Sequence, residues 1–139
     1  MDDFKLSRRS LVKVAALAGV AQVASPFVIT ARAEDVVKIG LDNPLTGTYA
    51  ANGKNEMIGC QLAVEQMNAK GGILGRKVEL LVEDSTSGDA GTAVQKARKL
   101  IDRDKVNFIL SNVNSALAAA VANVAFEKGV LMVDPGGHT

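Results

Sequence analysis

The sequence has one cysteine, Cys60, and one histidine, His138. A single cysteine excludes an intramolecular disulfide, and a single histidine excludes a metal site built on a pair of histidines. Cys60 belongs to the apolar series Met57, Cys60, Val64 and Met67, whose spacing predicts a buried stripe on a helix. There is also no Gly-x-Ser-x-Gly motif, and the acidic residues are scattered over strand ends and helix faces without a close pair that would suggest glycosidase chemistry. We therefore expect neither an enzyme nor a bound cofactor or metal.

The sequence has few aromatic residues and no stripe of basic residues beyond residue 33, and a nucleic-acid-binding surface would need both. Aromatics make up 4% of the 139 residues. The first 33 residues hold five of the 16 Lys and Arg but only two of the 15 Asp and Glu, so the remainder is mildly acidic. No basic stripe is present, and we do not expect a nucleic-acid partner.

Two glycine-rich stretches resemble phosphate-binding loops but fail on spacing. Gly47 and Gly53 enclose five residues where a P-loop has four, and Asn55 stands where that loop needs a hydroxyl for Mg²⁺. The run from Gly71 to Gly75 lies between a helix and the next strand, whereas a dinucleotide loop follows a strand and precedes a helix. Neither stretch predicts nucleotide binding.

Residues 1–33 have the three regions of an export signal. A basic segment contains Ser7-Arg8-Arg9-Ser10, residues 14–24 form an apolar run too short to span a bilayer, and Ala31-Arg32-Ala33 matches a signal-peptidase site. The mature chain is expected to begin at Glu34, in the periplasm. The paired arginines resemble the twin-arginine signal. The alternatives are the general secretory pathway and an ordinary amphipathic helix.

Beyond residue 33, strand and helix patterns alternate. Strands are predicted over residues 36–41, 77–83, 106–110 and 130–133. Helices are predicted over residues 54–69, from residue 90 onward, and over 115–128, with Ser115 as the cap of the last helix and Gly129 as its end. This order predicts an α/β fold, a parallel sheet with helices on both faces.

Each predicted strand ends in polar residues, namely Asp42-Asn43, Asp84-Ser85, Ser111-Asn112 and Asp134-Pro135. Parallel strands end at one edge of the sheet, where such folds bind small molecules and where helix N-termini offer N–H groups to an anion. A ligand with a carboxylate or phosphate is therefore predicted. The Asp84 loop is better interpreted as a solvated turn, whereas residues 111–115 and 136–139 favour binding. His138 either tunes the pocket or is an exposed loop residue.

Two motifs resemble a known family. Pro44-Leu45-Thr46-Gly47 after the first strand, and Asn68-Ala69-Lys70-Gly71-Gly72-Ile73-Leu74-Gly75-Arg76-Lys77 before the second, are similar to the type I periplasmic binding proteins of branched-chain amino acid uptake. The resemblance implies two α/β lobes that close over a ligand. Residues 34–139 would form part of the N-terminal lobe of a longer protein, and such a fragment is expected to bind ligand weakly.

The resemblance also implies roles for individual residues. Ser115 and Thr139 would donate hydroxyls to a ligand carboxylate, and Gly137 would offer its backbone. His138 departs from the family's commoner Ala-Thr pattern, which leaves the register of Thr139 open. The candidate ligand-binding residues are Tyr49, Asn52, Asn114, Ser115, Gly137, His138 and Thr139.

The function implied is that of a monomeric extracytoplasmic solute-binding protein. It would capture an amino acid, or a related carboxylate or amide, and deliver it to an ABC permease. Two alternatives stay open. One is an amide or amino-acid sensor on the same fold, which would lack an export signal. The other is an exported α/β enzyme whose nucleophile and base lie beyond Thr139.

Overall fold

The computed structural model describes residues 36–111 and 113–136. The predicted export signal and the predicted contacts Gly137, His138 and Thr139 lie outside the described residues. The elements in chain order are β1 (Val37–Asn43), α1 (Ala50–Ala69), β2 (Val78–Asp84), α2 (Ala90–Arg98), a π-helical turn (Lys99–Arg103), β3 (Phe108–Ser111), α3 (Ser115–Lys128) and β4 (Leu131–Val133).

The four strands form one parallel sheet in the order β2-β1-β3-β4. Val37 of β1 pairs with Val78 of β2, and Ile39 pairs with Phe108 of β3. Phe108 in turn pairs with Leu131 of β4. The predicted α/β fold with a parallel sheet is confirmed.

Helices cover both faces of the sheet, because successive side chains of a strand point to opposite faces. Val37 and Ile39 of β1 and Val78 of β2 form a core that α1 covers through Val64 and Met67. The other face packs against α2, the π-helical turn and α3 and forms a larger core. The buried residues of this core are Ala93, Ala97, Leu100, Ile101, Val106, Ile109, Leu117, Val121 and Val124. The alternating order of strands and helices predicted this cover on both faces.

The Asn68–Lys77 motif is explained by the way α1 connects to β2. The Asn68 side chain donates to the Val78 carbonyl and accepts from the Val78 N–H, both at 2.8 Å, as a neighbouring strand would. Gly72 has a φ of 78°, and a β-carbon there would lie 1.9 Å from the Arg76 carbonyl oxygen. The motif therefore combines a side chain that satisfies the start of β2 with a turn that only glycine fits.

The predicted start of α1 at residue 54 is wrong, because the helix begins four residues earlier, at Ala50. Gly47 turns the chain with a φ of 83°, and the Ala50 N–H donates to the Gly47 carbonyl at 3.2 Å. Asn52 therefore lies in the first turn of the helix rather than in the preceding loop. Tyr49 occupies the capping position, without a side-chain hydrogen bond to the helix.

The prediction that Cys60 lies in a buried stripe is wrong in degree: Val64 and Met67 of the same series pack against the core, but no member of the series is fully buried. Cys60 is half-buried, and Gly53 is the one fully buried residue of α1. The cause is geometric: within the described chain α1 alone covers its face of the sheet, so its flanks stay accessible. Ile58 and Leu62 are accordingly exposed. No helix among the described residues is long and apolar enough to cross a membrane.

Candidate functional site

The polar ends of the strands converge on one side of the sheet, as predicted. We call this side the carboxyl edge, defined by the strand ends Asn43, Asp84, Ser111 and Val133. Asn43 pairs with Asp84 across β1 and β2, and Asp42 pairs with Ser111 across β1 and β3. These residues belong to three different predicted strand ends, and the parallel register makes them neighbours.

Asp84 organises the loop that follows β1. Its carboxylate accepts hydrogen bonds from the Leu45 N–H at 2.9 Å, the Thr46 hydroxyl at 2.8 Å and the Thr86 N–H at 2.9 Å. Burial opposes ionisation, yet these bonds lower the pKa of the Asp84 carboxyl below its ordinary value. Asp84 thus joins the loop after β1 to the loop after β2, so its own loop is more than a solvated turn.

Ser87 connects two of the predicted binding segments. Its hydroxyl accepts from the Tyr49 N–H at 2.9 Å and donates to the Thr46 carbonyl at 2.6 Å. Its backbone carbonyl accepts from Asn114 Nδ2 at 3.4 Å. Tyr49 and Asn114 are far apart in sequence, and Ser87 links the loops that carry them. Sequence reasoning missed this role because a serine in a turn is common.

The N-terminus of α3 is capped by Asn114 and not by Ser115, so that prediction is wrong by one residue. Asn114 has an extended backbone, and its Oδ1 accepts from the Ala116 N–H at 3.0 Å. An amide oxygen is as good an acceptor at this position as a hydroxyl. Ser115 is instead the first residue of the helix, at the carboxyl edge.

A cavity of about 270 Å³ begins beside Ser115. It runs along α3 towards β4 and has mainly apolar walls, with polar groups at the end nearest the carboxyl edge. The lining residues are Ser115, Ala118, Ala119, Ala122, Met132 and Asp134. The small side chains of α3 create the space, since alanine at three of these positions leaves the groove beside Met132 unfilled.

Asp42 is fully buried beneath the carboxyl edge, on the face covered by α2. Burial, followed by the nearby charges of Glu83 and Asp84, raises the pKa of this carboxyl to about 8, while Lys96 acts in the opposite direction. Burial therefore favours the protonated form of this carboxyl. The sequence places it at a strand end, where a solvated carboxylate was the simpler expectation.

Glu83, whose charge raises the pKa of Asp42, is itself kept ionised by two lysines. Lys96 Nζ lies 2.8 Å and Lys99 Nζ 2.5 Å from its carboxylate oxygens, and Lys99 also contacts Asp104 at 2.9 Å. Burial opposes ionisation, but the hydrogen bonds to the two lysines lower the pKa of Glu83. Both lysine side chains stay partly exposed while they contact Glu83.

The carboxyl edge thus brings together Tyr49, Asn114 and Ser115 among the predicted binding residues. Asn52 lies exposed on the first turn of α1. Glu56, also on α1, reaches the edge and contacts Asn43. Sequence reasoning missed Glu56, since one acidic residue on a polar helix face carries no signal in a single sequence. Over the described ranges, no group of three His, Cys, Asp or Glu residues could hold a metal ion.

Residues 36–139 match the family model described as "periplasmic binding protein". The chain belongs to the periplasmic binding protein family. The parallel α/β fold agrees with this membership, since solved proteins of the same kind superpose on it.

Individual relatives agree with this membership. The Leu/Ile/Val-binding protein BraC3 of Rhizobium johnstonii is 43% identical over 99 residues, covering 71% of this chain and 26% of the relative. The isoleucine complex of LivJ, a branched-chain amino acid transporter substrate-binding protein of Streptococcus pneumoniae, superposes with a TM-score of 0.72 at 32% identity, covering 75% of this chain and 30% of that one.

A third relative was solved with a different ligand. It is a solute-binding protein of an ABC transporter from Rhodopseudomonas palustris, in complex with 3,4-dihydroxybenzoic acid. It has a TM-score of 0.63 and 29% identity, and the match covers 73% of this chain and 27% of that one. The chain therefore spans less than a third of each of these three proteins. All three are binding proteins and not enzymes, in line with the prediction for this periplasmic binding protein.

Proposed function

We propose that this chain belongs to an extracytoplasmic solute-binding protein that captures a small carboxylate, of the branched-chain amino acid type, for an ABC permease. The observation that carries the proposal is the carboxyl edge, where Ser115 opens α3 beside the end of β3. The N-terminus of a helix offers unpaired N–H groups and a partial positive charge to an anion. A Leu/Ile/Val-binding relative at 43% identity supports the same ligand class.

In this proposal the ligand carboxylate binds between the loop at Asn114 and Ser115 and the loop at residues 137–139. Ser115 and Thr139 donate hydroxyls, Gly137 donates its backbone N–H, and His138 contributes to the same loop. Tyr49 and Asn52 form the wall of the pocket. The ligand is enclosed by a second lobe, and the protein acts as a monomer without a cofactor.

The proposed location is the periplasm, reached through the export signal of residues 1–33 with cleavage after Ala33. Membership of a periplasmic family supports export, and the paired Arg8 and Arg9 support the twin-arginine route. The proposal excludes a cytoplasmic amide sensor, which would keep its N-terminus and stay inside the cell.

The test is isothermal titration calorimetry on the mature protein purified from its own gene. The panel contains leucine, isoleucine, valine, an aliphatic amide and 3,4-dihydroxybenzoic acid, the last because a relative binds it. Saturable heat with a branched-chain amino acid supports the proposal. Saturation by the aromatic acid alone would replace the ligand class, and no heat with any of the five would overturn it.

A further inference from the structure

Glu56 lies on the second turn of α1, and its side chain reaches the carboxyl edge. Its Oε2 accepts a hydrogen bond from Asn43 Nδ2 at 2.5 Å. Asn43 is the last residue of β1 and is fully buried. A buried amide N–H needs an acceptor, and the Glu56 oxygen provides it. The bond therefore fixes the Glu56 carboxylate against the end of the central strand.

The other carboxylate oxygen faces the loop that follows β4. A β-carbon at Gly136 would lie 2.7 Å from Glu56 Oε1, 3.4 Å from Val113 Cγ1 and 3.5 Å from Val113 Cα. A β-carbon here would displace the Glu56 carboxylate, which is the flexible end of a side chain, whereas its distances to Val113 are those of ordinary contact. Gly136 therefore lies close to both the Glu56 carboxylate and Val113, so the loops that follow β3 and β4 meet beside the side chain that is bonded to the end of β1.

We propose that Glu56 is a positioning residue that holds these two loops in register with β1. The inference rests on the proposed function, because the same two loops carry Ser115 and residues 137–139, the proposed carboxylate contacts. A negative charge beside them would by itself repel an anionic ligand, so the useful property of Glu56 is its shape and its acceptor oxygens. Glutamine retains the shape and one acceptor oxygen, which is enough for the bond from Asn43, and removes the charge.

The first experiment needs no ligand and therefore tests the inference even if the proposed function fails. Backbone amide hydrogen exchange is followed for residues 113–116 and 134–136. Glu56→Ala should accelerate exchange in both loops, because it leaves the buried Asn43 amide without its acceptor. Glu56→Gln should stay close to wild type. Glu65→Ala, an exposed position on the same helix, is the matched control.

If Glu56→Ala does not fold, Gly136→Ala displaces the same contact from the loop side and provides the same measurement. Faster exchange in both loops, with rescue by glutamine, supports the proposal. Unchanged exchange in Glu56→Ala, or an equal change in Glu65→Ala, would overturn it. A Glu56→Gln variant that loosens the loops as much as alanine does would also contradict it, since charge would then be the property that matters.

The second experiment measures affinity for leucine, isoleucine or valine by calorimetry. Glu56→Ala should raise Kd by roughly tenfold or more, while Glu56→Gln and Glu65→Ala bind within a few-fold of wild type. If wild type binds none of the three, the proposed function has failed and the exchange result still decides the role of Glu56. If wild type binds and Glu56→Ala binds equally well, the positioning role is wrong and the proposed function stands.

Discussion

Gly53 of α1 packs directly against the backbone of Pro44. A β-carbon at position 53 would lie 2.1 Å from the Pro44 carbonyl oxygen and 2.9 Å from its carbonyl carbon. The Gly53 N–H meanwhile donates to the Tyr49 carbonyl at 3.0 Å, inside the first turn of the helix. This contact fixes where α1 leaves the loop after β1, and therefore where Tyr49 stands relative to the carboxyl edge.

Gly53→Ala should destabilise the protein, because a backbone carbonyl cannot move away as a flexible side chain can. We expect a loss of about 1–3 kcal/mol in the free energy of unfolding, measured by urea denaturation. Gly59→Ala is the matched control on the same helix, since nothing lies within 4 Å of a β-carbon there. Alanine at position 59 should stabilise by about 1 kcal/mol through helix propensity. Equal effects of the two substitutions would contradict the packing argument.

Ser87→Ala should release the loop after β1 without unfolding the sheet. The substitution removes the acceptor of the Tyr49 N–H and the donor to the Thr46 carbonyl, and each such bond contributes about 1 kcal/mol. Amide exchange at Tyr49 should accelerate, while amides within β1 remain protected. Thr48→Ala, in the same loop and exposed, should leave the Tyr49 amide unchanged. Slow exchange at Tyr49 in Ser87→Ala would show that this bond does not hold the loop.

The fold follows from features that a sequence carries locally. Alternation in β1 and the apolar series of α2 and α3 each report a burial pattern over a few residues, so the parallel sheet and its two-sided cover could be predicted. The start of α1 could not, because it depends on the contact between Gly53 and Pro44 rather than on a capping residue. The turn residues near Gly47 are compatible with a helix that begins at residue 50 or at residue 54.

The candidate site divides in the same way. Its polar strand ends could be predicted, since each follows its own strand. The contacts that join them could not, because Ser87 links Tyr49 to Asn114, and Glu56 links Asn43 to Gly136, over separations that no local pattern reports. The sequence could not show that Asn114 rather than Ser115 caps α3, because both residue types are good caps and the two are adjacent.

Asp42 should make the protein less stable as the pH rises. Its pKa of about 8 in the folded chain exceeds its ordinary value of 3.8, so the folded state holds a proton that the unfolded state releases. The stabilisation is complete below about pH 4 and is lost as the pH rises through about 8. Asp42→Asn keeps the shape and cannot ionise, so its melting temperature should rise relative to wild type between pH 5 and 9. A constant difference between the two proteins over that range would contradict the neutral buried carboxyl.

Export should depend on the paired arginines if the twin-arginine route is used. Replacing Arg8 and Arg9 together with lysine preserves charge and should leave the precursor in the cytoplasm, because the pathway recognises arginine itself. Arg32→Lys, near the proposed cleavage site, is the charge-matched control and should be exported normally. Cell fractionation and N-terminal sequencing provide the measurement, with Glu34 expected as the first residue. Normal export of the double variant would instead indicate the general secretory pathway.

Ser115→Ala should weaken ligand binding while the cap of α3 stays in place. Asn114 and not Ser115 caps α3, so the substitution leaves the bond to the Ala116 N–H in place. A hydroxyl that donates to a carboxylate contributes about 1.5–3 kcal/mol, which corresponds to a rise in Kd of roughly tenfold or more for the proposed amino-acid ligand. Asn123→Ala, on the exposed side of the same helix, should bind as wild type does.

Asn114→Ala separates the capping role from the binding role, because it should lower the melting temperature through loss of the cap. Unchanged affinity in Ser115→Ala, measured by calorimetry, would remove Ser115 from the proposed site.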